Sequence, residues 1–296
     1  MLRHLAAEPV KPSRVVVIGA GGFVGGAVCR RLEAERIETL ALDRSKIDLL
    51  AEDAATELAA YLRPGDAIVA AAARAPCKNL DMMIENVVMV RSMLAGLAAA
   101  SVSHVVNISS DAVYADEPTP ITEETPTAPA TLHGAMHLTR EIAFREAVKA
   151  PLAILRPTLL YGAEDPHNGY GPNRFRRSAA VGEDIVLFGG GEERRDHVLI
   201  DDLAEVVLRV LTRRSTGALN VAAGRVHSFR AIAEMVAQAS SRDVALKETP
   251  RSGPMPHNGY RPFDNAATQQ AFPDFEYSPI EPSIARLQRL TEGSLG

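Results

Sequence analysis

Through the first half of the chain, short apolar runs alternate with longer stretches that mix apolar and polar positions in the manner of amphipathic helices. Arg14-Val15-Val16-Val17-Ile18, Glu38 to Asp43, Asp66 to Ala72, His104 to Ser110 and Leu152 to Arg156 predict strands. Residues 22–35, 49–62, 80–100 and 132–148 predict helices, the second closed by Pro64-Gly65. Strand following helix following strand implies parallel pairing through crossover helices, hence a doubly wound α/β sheet. Past residue 160 the pattern loosens. Segments 163–177 and 249–263 carry Gly, Pro, Asn and aromatic residues with little periodicity and read as long loops, the kind that commonly serve function. Between them lie an apolar helix over 202–213, a strand over 218–221 and a helix over 228–240.

The first strand runs into Gly19-Ala20-Gly21-Gly22-Phe23-Val24-Gly25, which opens the first helix. Strand, glycine turn and helix in that order seat a dinucleotide pyrophosphate. Glycines at 19, 22 and 25 remove side chains where backbone turns, meets phosphate and packs helix on strand. The first helical N–H groups and the positive end of the helix dipole then face the phosphates. A glycine-rich turn in some other α/β protein is the competing reading.

Composition narrows the class. A chain of 296 residues with 46% hydrophobic and 23% charged positions can bury a large core, and its formal charge of -5 gives no reason to expect nucleic acid binding. Cys29 and Cys77 have neither metal nor redox spacing and read as buried free thiols in a reducing compartment. With no apolar stretch of about 18 residues and no signal-like N-terminus, a cytoplasmic protein that does not enter a membrane is expected.

Further motifs follow in order: Ile108-Ser109-Ser110-Asp111-Ala112-Val113-Tyr114, then Leu155-Arg156-Pro157-Thr158-Leu159-Leu160-Tyr161-Gly162, then Gly189-Gly190-Gly191 before Arg195-Asp196-His197. Together with the glycine turn they resemble the extended short-chain dehydrogenase/reductase family, the nucleotide-sugar epimerases, dehydratases and reductases, over about residues 14 to 290. The resemblance implies a Rossmann-type domain over 14–162 with 192–223 and a smaller C-terminal substrate cap over 163–191 with 224–296. Residues 1–13 would be an N-terminal extension. Gly19, Gly22, Phe23, Val24, Gly25, Asp43, Arg44, Asp48, Ala71, Ala72, Ala73 and Asn86 match cofactor positions. Asp43 suits the adenosine ribose of NAD, whereas Arg44 could pair with the 2′-phosphate of NADP, so NAD is expected and NADP stays open. Asp48 could equally cap a helix, and Asn86 could sit on an exposed helix face.

Ser110 takes the place of the family's catalytic serine or threonine, with turn capping as the alternative. The resemblance then calls for a tyrosine and, four residues on, a lysine. This chain has His133 and His137 instead, in His133-Gly134-Ala135-Met136-His137, on one helix face. Three readings stay open. His133 could be the acid/base, with an ordinary pKa of about 6.5 already near neutrality, and His137 would then bond the nicotinamide ribose. Nicotinamide chemistry could be lost, leaving a nucleotide-binding regulator or partner. Or Tyr161, Tyr114 or His167 could supply the proton. A metal held by the two histidines lacks a third ligand at suitable spacing.

On the substrate side, Asn173, Arg195 and Arg261 match residues that hold a nucleotide diphosphate, and Asp111 and Tyr161 join them as substrate contacts. Arg195 could instead pair with Asp196. Pro166-His167-Asn168-Gly169-Tyr170-Gly171-Pro172 recurs as Pro256-His257-Asn258-Gly259-Tyr260-Arg261-Pro262, which places His167 and Tyr260 in a shared cleft or is coincidence. Met82, Met89 and Met93 exceed what one sheet face needs; similar proteins pair these helices across a dimer axis, so a homodimer is expected, with core packing as the rival.

Overall fold

The computed structural model of the protein describes residues 2–116, 120–166 and 168–294. The first half builds β1 (Arg14–Ile18), α1 (Phe23–Ala34), β2 (Glu38–Leu42), α2 (Ala54–Tyr61), β3 (Ala67–Ala70), α3 (Leu80–Ala98), β4 (His104–Ile108), α4 (Leu132–Ala147) and β5 (Leu152–Pro157). Then come β6 (Leu159–Tyr161), α5 (Pro172–Ala180), β7 (Ile185–Phe188), β8 (Arg194–Leu199), α6 (Ile200–Thr212), β9 (Gly217–Val221), β10 (Val226–Ser228) and α7 (Phe229–Ala239). The chain closes with β11 (Leu246–Thr249), β12 (Tyr260–Arg261), α8 (Ala266–Ala271) and α9 (Ile280–Gly293).

Six strands form one sheet in the order β2-β1-β3-β4-β5-β9, and every pair is parallel. β1, β3 and β4 are buried at every position, which is why they read as continuous apolar runs rather than as alternation. One face packs on α1 and α6 through Val15, Val17, Val28, Leu32, Leu203 and Val207. The other packs on α2, α3 and α4 through Val16, Ile18, Leu58, Met93 and Phe144. The order reverses between β1 and β3, and a ligand crevice opens beyond strand ends at such a point.

Several elements depart from the expected pattern. The second helix begins at Ala54 rather than at 49, because Asp48 starts a local turn, its Oδ1 accepting from Leu50 N at 3.2 Å. Segment 163–177, expected to be loop, turns into α5 at Pro172, a residue suited to a first helical position. Its Phe175 and Ala179 bury against Phe229, Ile232 and Ile284, so tertiary packing supplies a helix that local periodicity does not signal. β8, grouped by sequence with the dinucleotide-binding unit, pairs instead with β6, β10 and β12 in a small second sheet. The two heptapeptide copies take different forms, a loop into α5 and a 3-10 turn into β12. They share a left-handed asparagine, Asn168 at φ 46° and Asn258 at φ 51°.

Candidate functional site

At the strand reversal a cleft of about 500 Å³ is lined by Gly19, Gly21, Gly22, Asp43, Arg44, Asp48, Ala71, Ala72 and Ala73, among others. Close approach explains two glycines of the turn. Gly19 has φ +93°, and a Cβ there would lie 2.5 Å from Ala72 N; a Cβ on Gly25 would lie 2.1 Å from Gly19 O. Gly22, exposed at the start of α1, has its N–H bonded to Gly19 O at 3.0 Å. Phe23 packs beneath Gly162, where a Cβ would come within 3.1 Å of its ring, and Val24 packs on the core under α1. These two support the cradle rather than line it.

Asp43 ends β2 at the cleft wall. Its Oδ1 accepts from Ser45 Oγ at 2.6 Å and Ser45 N at 2.9 Å, and the Ser45 hydroxyl above all holds the carboxyl below the usual range. Asp43 is therefore ionised and pre-oriented. Arg44 points outward with 78% of its side chain exposed, 3.7 Å from Asp48, so Asp48 is a rim residue and not a helix cap. Asn86 corrects both expectations. It is 2% exposed, and its amide is spent on Arg74, Oδ1 accepting from Arg74 N at 2.9 Å and Nδ2 donating to Arg74 O at 3.0 Å. It fixes the loop after β3 that walls the cleft and does not itself face a cofactor.

α4 brings the histidine pair to the same strand ends. Its Thr131 cap bonds Gly134 N at 3.1 Å, and a Cβ on Gly134 would lie 2.0 Å from Ala112 O, so the helix starts directly on the 111–113 turn. His133 and His137 meet edge to face, ring centroids 4.7 Å apart at 87°. His133 Nδ1 lies 3.4 Å from Cys77 N, a contact too long to fix which ring nitrogen carries the proton. Burial lowers the His133 pKa, opposed by the charge of Asp111. Burial lowers that of His137 well below the usual value, helped by His133 and Arg140, so both rings are neutral at pH 7. His137 Nδ1 is buried without a hydrogen-bond partner among the described residues.

Arg140, one turn after His137, went unremarked in the sequence. Its Nε donates to Asn107 Oδ1 at 2.5 Å, Nη1 to Ala72 O at 2.6 Å and Nη2 to Ala70 O at 2.7 Å. Burial brings its pKa down to about 10, still cationic, and it holds the strand ends beneath the cleft against α4. A charged residue on the apolar face of a helix was the available signal.

Ser110 does what the capping alternative expected. Its Oγ accepts from Ala112 N at 3.1 Å and donates to Asp111 Oδ1 at 3.3 Å, while the residue stays half-buried. The tyrosines offered as proton donors lie elsewhere. Tyr114 is buried, bonded to Asn220 and Arg156, with a raised pKa. Tyr161 is core beside Phe175 and Phe229, its phenol pushed up to about 12 by burial, so it is not a substrate contact. His167 lies outside the described residues.

The substrate group is also corrected in part. Asn173 is buried, its Oδ1 accepting from Gly162 N at 3.1 Å and its Nδ2 donating to Asp165 at 3.0 Å, so it braces a loop. Tyr260 turns outward, with Arg194 stacked 4.4 Å from its ring centroid. Arg195 does not pair with Asp196; it meets Glu193 at 3.3 Å and Asp111 at 3.9 Å. Asp196 instead binds Thr158, Ala223 N and Arg225 N. Arg261 is 1% exposed and tied to Asp111 and Asp116. His257, Asp116 and Glu193 thus join a cluster that sequence reasoning did not assemble. Among the described residues no group of three or more His, Cys, Asp or Glu could hold a metal ion.

A doubly wound sheet with a glycine cradle and an acidic end to its second strand defines a dinucleotide-binding protein. The family model described as the NAD dependent epimerase/dehydratase family matches residues 15–222, and the chain belongs to that family. It is 28% identical over 276 residues to a dTDP-4-dehydro-6-deoxy-D-allose reductase of Streptomyces bikiniensis, covering 80% of this chain and 84% of that protein. It is 29% identical over 271 residues to the dTDP-6-deoxy-L-talose 4-dehydrogenase (NAD(P)(+)) of Kitasatospora kifunensis, covering 83% and 85%. A UDP-glucose 4-epimerase of Thermotoga maritima, solved with UDP-glucose, superposes with a TM-score of 0.84 at 18% identity over 96% of this chain and 100% of that one. At that identity the superposition establishes the fold. Among the described residues no helix is long and apolar enough to cross a membrane.

Proposed function

We propose that the protein exchanges hydride at a carbinol carbon of a nucleotide-sugar-like substrate, in a reducing cytoplasmic setting, with NAD preferred over NADP. The observation that carries this reading is the neutral His133 and His137 pair, held edge to face on α4 beside Ser110 and Asp111. The glycine cradle and Asp43 fit a dinucleotide, and the unpartnered His137 Nδ1 fits a ribose hydroxyl beside it. Bound there, the nicotinamide supplies the hydride acceptor or donor. The chain's own residues do the rest. Ser110, still accepting from Ala112 N, turns its hydroxyl proton from the long 3.3 Å bond to Asp111 onto the substrate oxygen, and His133, neutral because burial lowers its pKa, takes the carbinol proton in the oxidative direction or returns it in the reductive one. His137 orients the ribose without carrying charge.

Nucleotide carried through purification, identified by mass spectrometry, and reduced-nicotinamide absorbance with a panel of nucleotide sugars test the reading. His133→Phe should cut turnover by about 10²–10⁴-fold, the usual weight of acid–base catalysis, and leave NAD affinity unchanged. Retained turnover would refute His133 as the proton carrier. A second reading, a catalytically silent dinucleotide-binding partner protein, draws support from Arg261, whose donors all serve the fold. Absence of any spectral change with every sugar would favour it. The outer faces of α3 and α4 expose Leu80, Ile84, Val87 and Ile142 near an apolar groove of about 290 Å³. That supports a homodimer, which sedimentation would test.

A further inference from the structure

The arginines matched to a substrate diphosphate meet carboxylates of this chain. β12 lies parallel to β8 with Arg261 opposite Arg195, so both side chains share one face of the small sheet. Both reach Asp111 Oδ2, Arg261 Nε at 3.3 Å and Arg195 Nη2 at 3.9 Å. Beyond that they differ. Arg261 Nη1 donates to Asp116 Oδ1 at 2.6 Å and Ala115 O at 3.2 Å, and Nη2 to Asp111 O at 2.9 Å and Tyr114 O at 3.3 Å. All five of its N–H groups are occupied, so it fastens the 111–116 turn and has nothing left for a phosphate. Arg195 makes one side-chain hydrogen bond among the described residues, Nη1 to Glu193 Oε1 at 3.3 Å. Its approach to Asp111 is too long for a hydrogen bond and is the loose joint of the cluster.

Asp111 also looks the other way. Its Oδ1 accepts from Ser110 Oγ at 3.3 Å, and α4 starts on the turn that Asp111 begins, with Gly134, the residue after His133, against Ala112 O. The groups around His133 are Asp111 from that turn, Cys77 from the loop after β3, and His137 on its own helix with Arg140 behind it. Asp111 is the one carboxylate among them.

Resting on the functional reading above, we propose that Asp111 is a positioning residue that an anionic substrate arm switches from Arg195 to His133. Phosphate oxygens that engage Arg195 draw its guanidinium off the carboxylate, which is left to stabilise the imidazolium formed when His133 accepts the carbinol proton. The O–H proton goes to the imidazole, the C–H electron pair leaves as hydride to an oxidised nicotinamide, and Asp111 takes no part in the proton transfer. Proton transfer is thereby strengthened only when a phosphorylated substrate is seated, and an unphosphorylated sugar alcohol finds a weaker base.

Inorganic pyrophosphate is the probe, and the titration of the His133 ring by NMR, assigned with His133→Gln, is the readout. In the wild type, saturating pyrophosphate should move that titration upward by about one pH unit, in the range typical of a carboxylate neighbour. Asp111→Asn should still bind pyrophosphate by calorimetry and lose most of the shift. Arg195→Gln should weaken pyrophosphate binding and show a raised His133 titration with no anion present. A shift of equal size in Asp111→Asn would mean that the anion acts directly and would overturn the proposal. So would bound pyrophosphate with no shift, or no pyrophosphate binding at all. NAD binding measured on the same samples separates the outcomes: if NAD binds and sugars turn over while His133 does not respond, only this inference falls.

Discussion

Replacing Gly25 by Ala adds one methyl group at the point where α1 crosses β1. That methyl would lie 2.1 Å from Gly19 O, 2.7 Å from Gly19 C and 2.9 Å from Ala20 Cα. All three are backbone atoms, so no side chain can swing aside. The closest contact is more than 1 Å short of ordinary van der Waals separation, and α1 must retreat from the turn by about that much. Retreat loosens Ala27, Val28 and Leu32 from the core, a misfit of about 1–3 kcal/mol that the better helix propensity of Ala, about 1 kcal/mol, only partly offsets. It also carries the first helical N–H groups away from the phosphates, and each charge-assisted bond lost is worth about 1.5–3 kcal/mol. NAD affinity by calorimetry should fall about 10- to 100-fold, with a lower melting temperature. Gly26→Ala is the matched control, because its Cβ would find Ala20 O at 3.5 Å, an ordinary contact, and affinity should hold within about twofold. Gly25→Ala binding NAD as tightly as Gly26→Ala would refute the close-approach argument.

Other outcomes follow from the same site and core. Asn86→Leu leaves Arg74 N and O without their partners, at a cost of about 1–3 kcal/mol, and should weaken NAD about tenfold by calorimetry; unchanged affinity would confine Asn86 to α3. Asp43→Ser removes the carboxylate that repels a 2′-phosphate and should shift preference toward NADP, read as the ratio of the two dissociation constants. His104 is buried, its Nε2 on Ser215 O at 2.7 Å and its pKa held down at about 4 by burial. The unfolded chain binds that proton near pH 6.5, so stability is full above 6.5 and is lost as pH falls toward 4, on the order of 3 kcal/mol. Urea midpoints across that window should flatten in His104→Gln; an unaltered slope would refute the assignment.

The chain's local pattern determined the first half of the fold in outline: β1, β3, β4 and β5 as buried runs, α1, α3 and α4 between them, and the glycine turn. These are legible because each element must bury its own stripe on one continuous sheet, and because the turn's requirements fall on glycines adjacent in sequence. The HxxxH departure was equally plain, since the register of α4 needs only local spacing. Tertiary structure alone decided which polar groups are free to act. Asn86, Asn173 and Arg261 carry the right chemistry at matching positions, yet their hydrogen bonds are spent on Arg74, on Gly162 and Asp165, and on the 111–116 turn. A side chain's hydrogen-bonding capacity is finite, and what consumes it here comes from loops as many as 150 residues away along the chain. The neutrality of the two histidines is likewise a product of burial, which wins at His133 over the opposing charge of Asp111, and burial is not expressed by spacing along one helix.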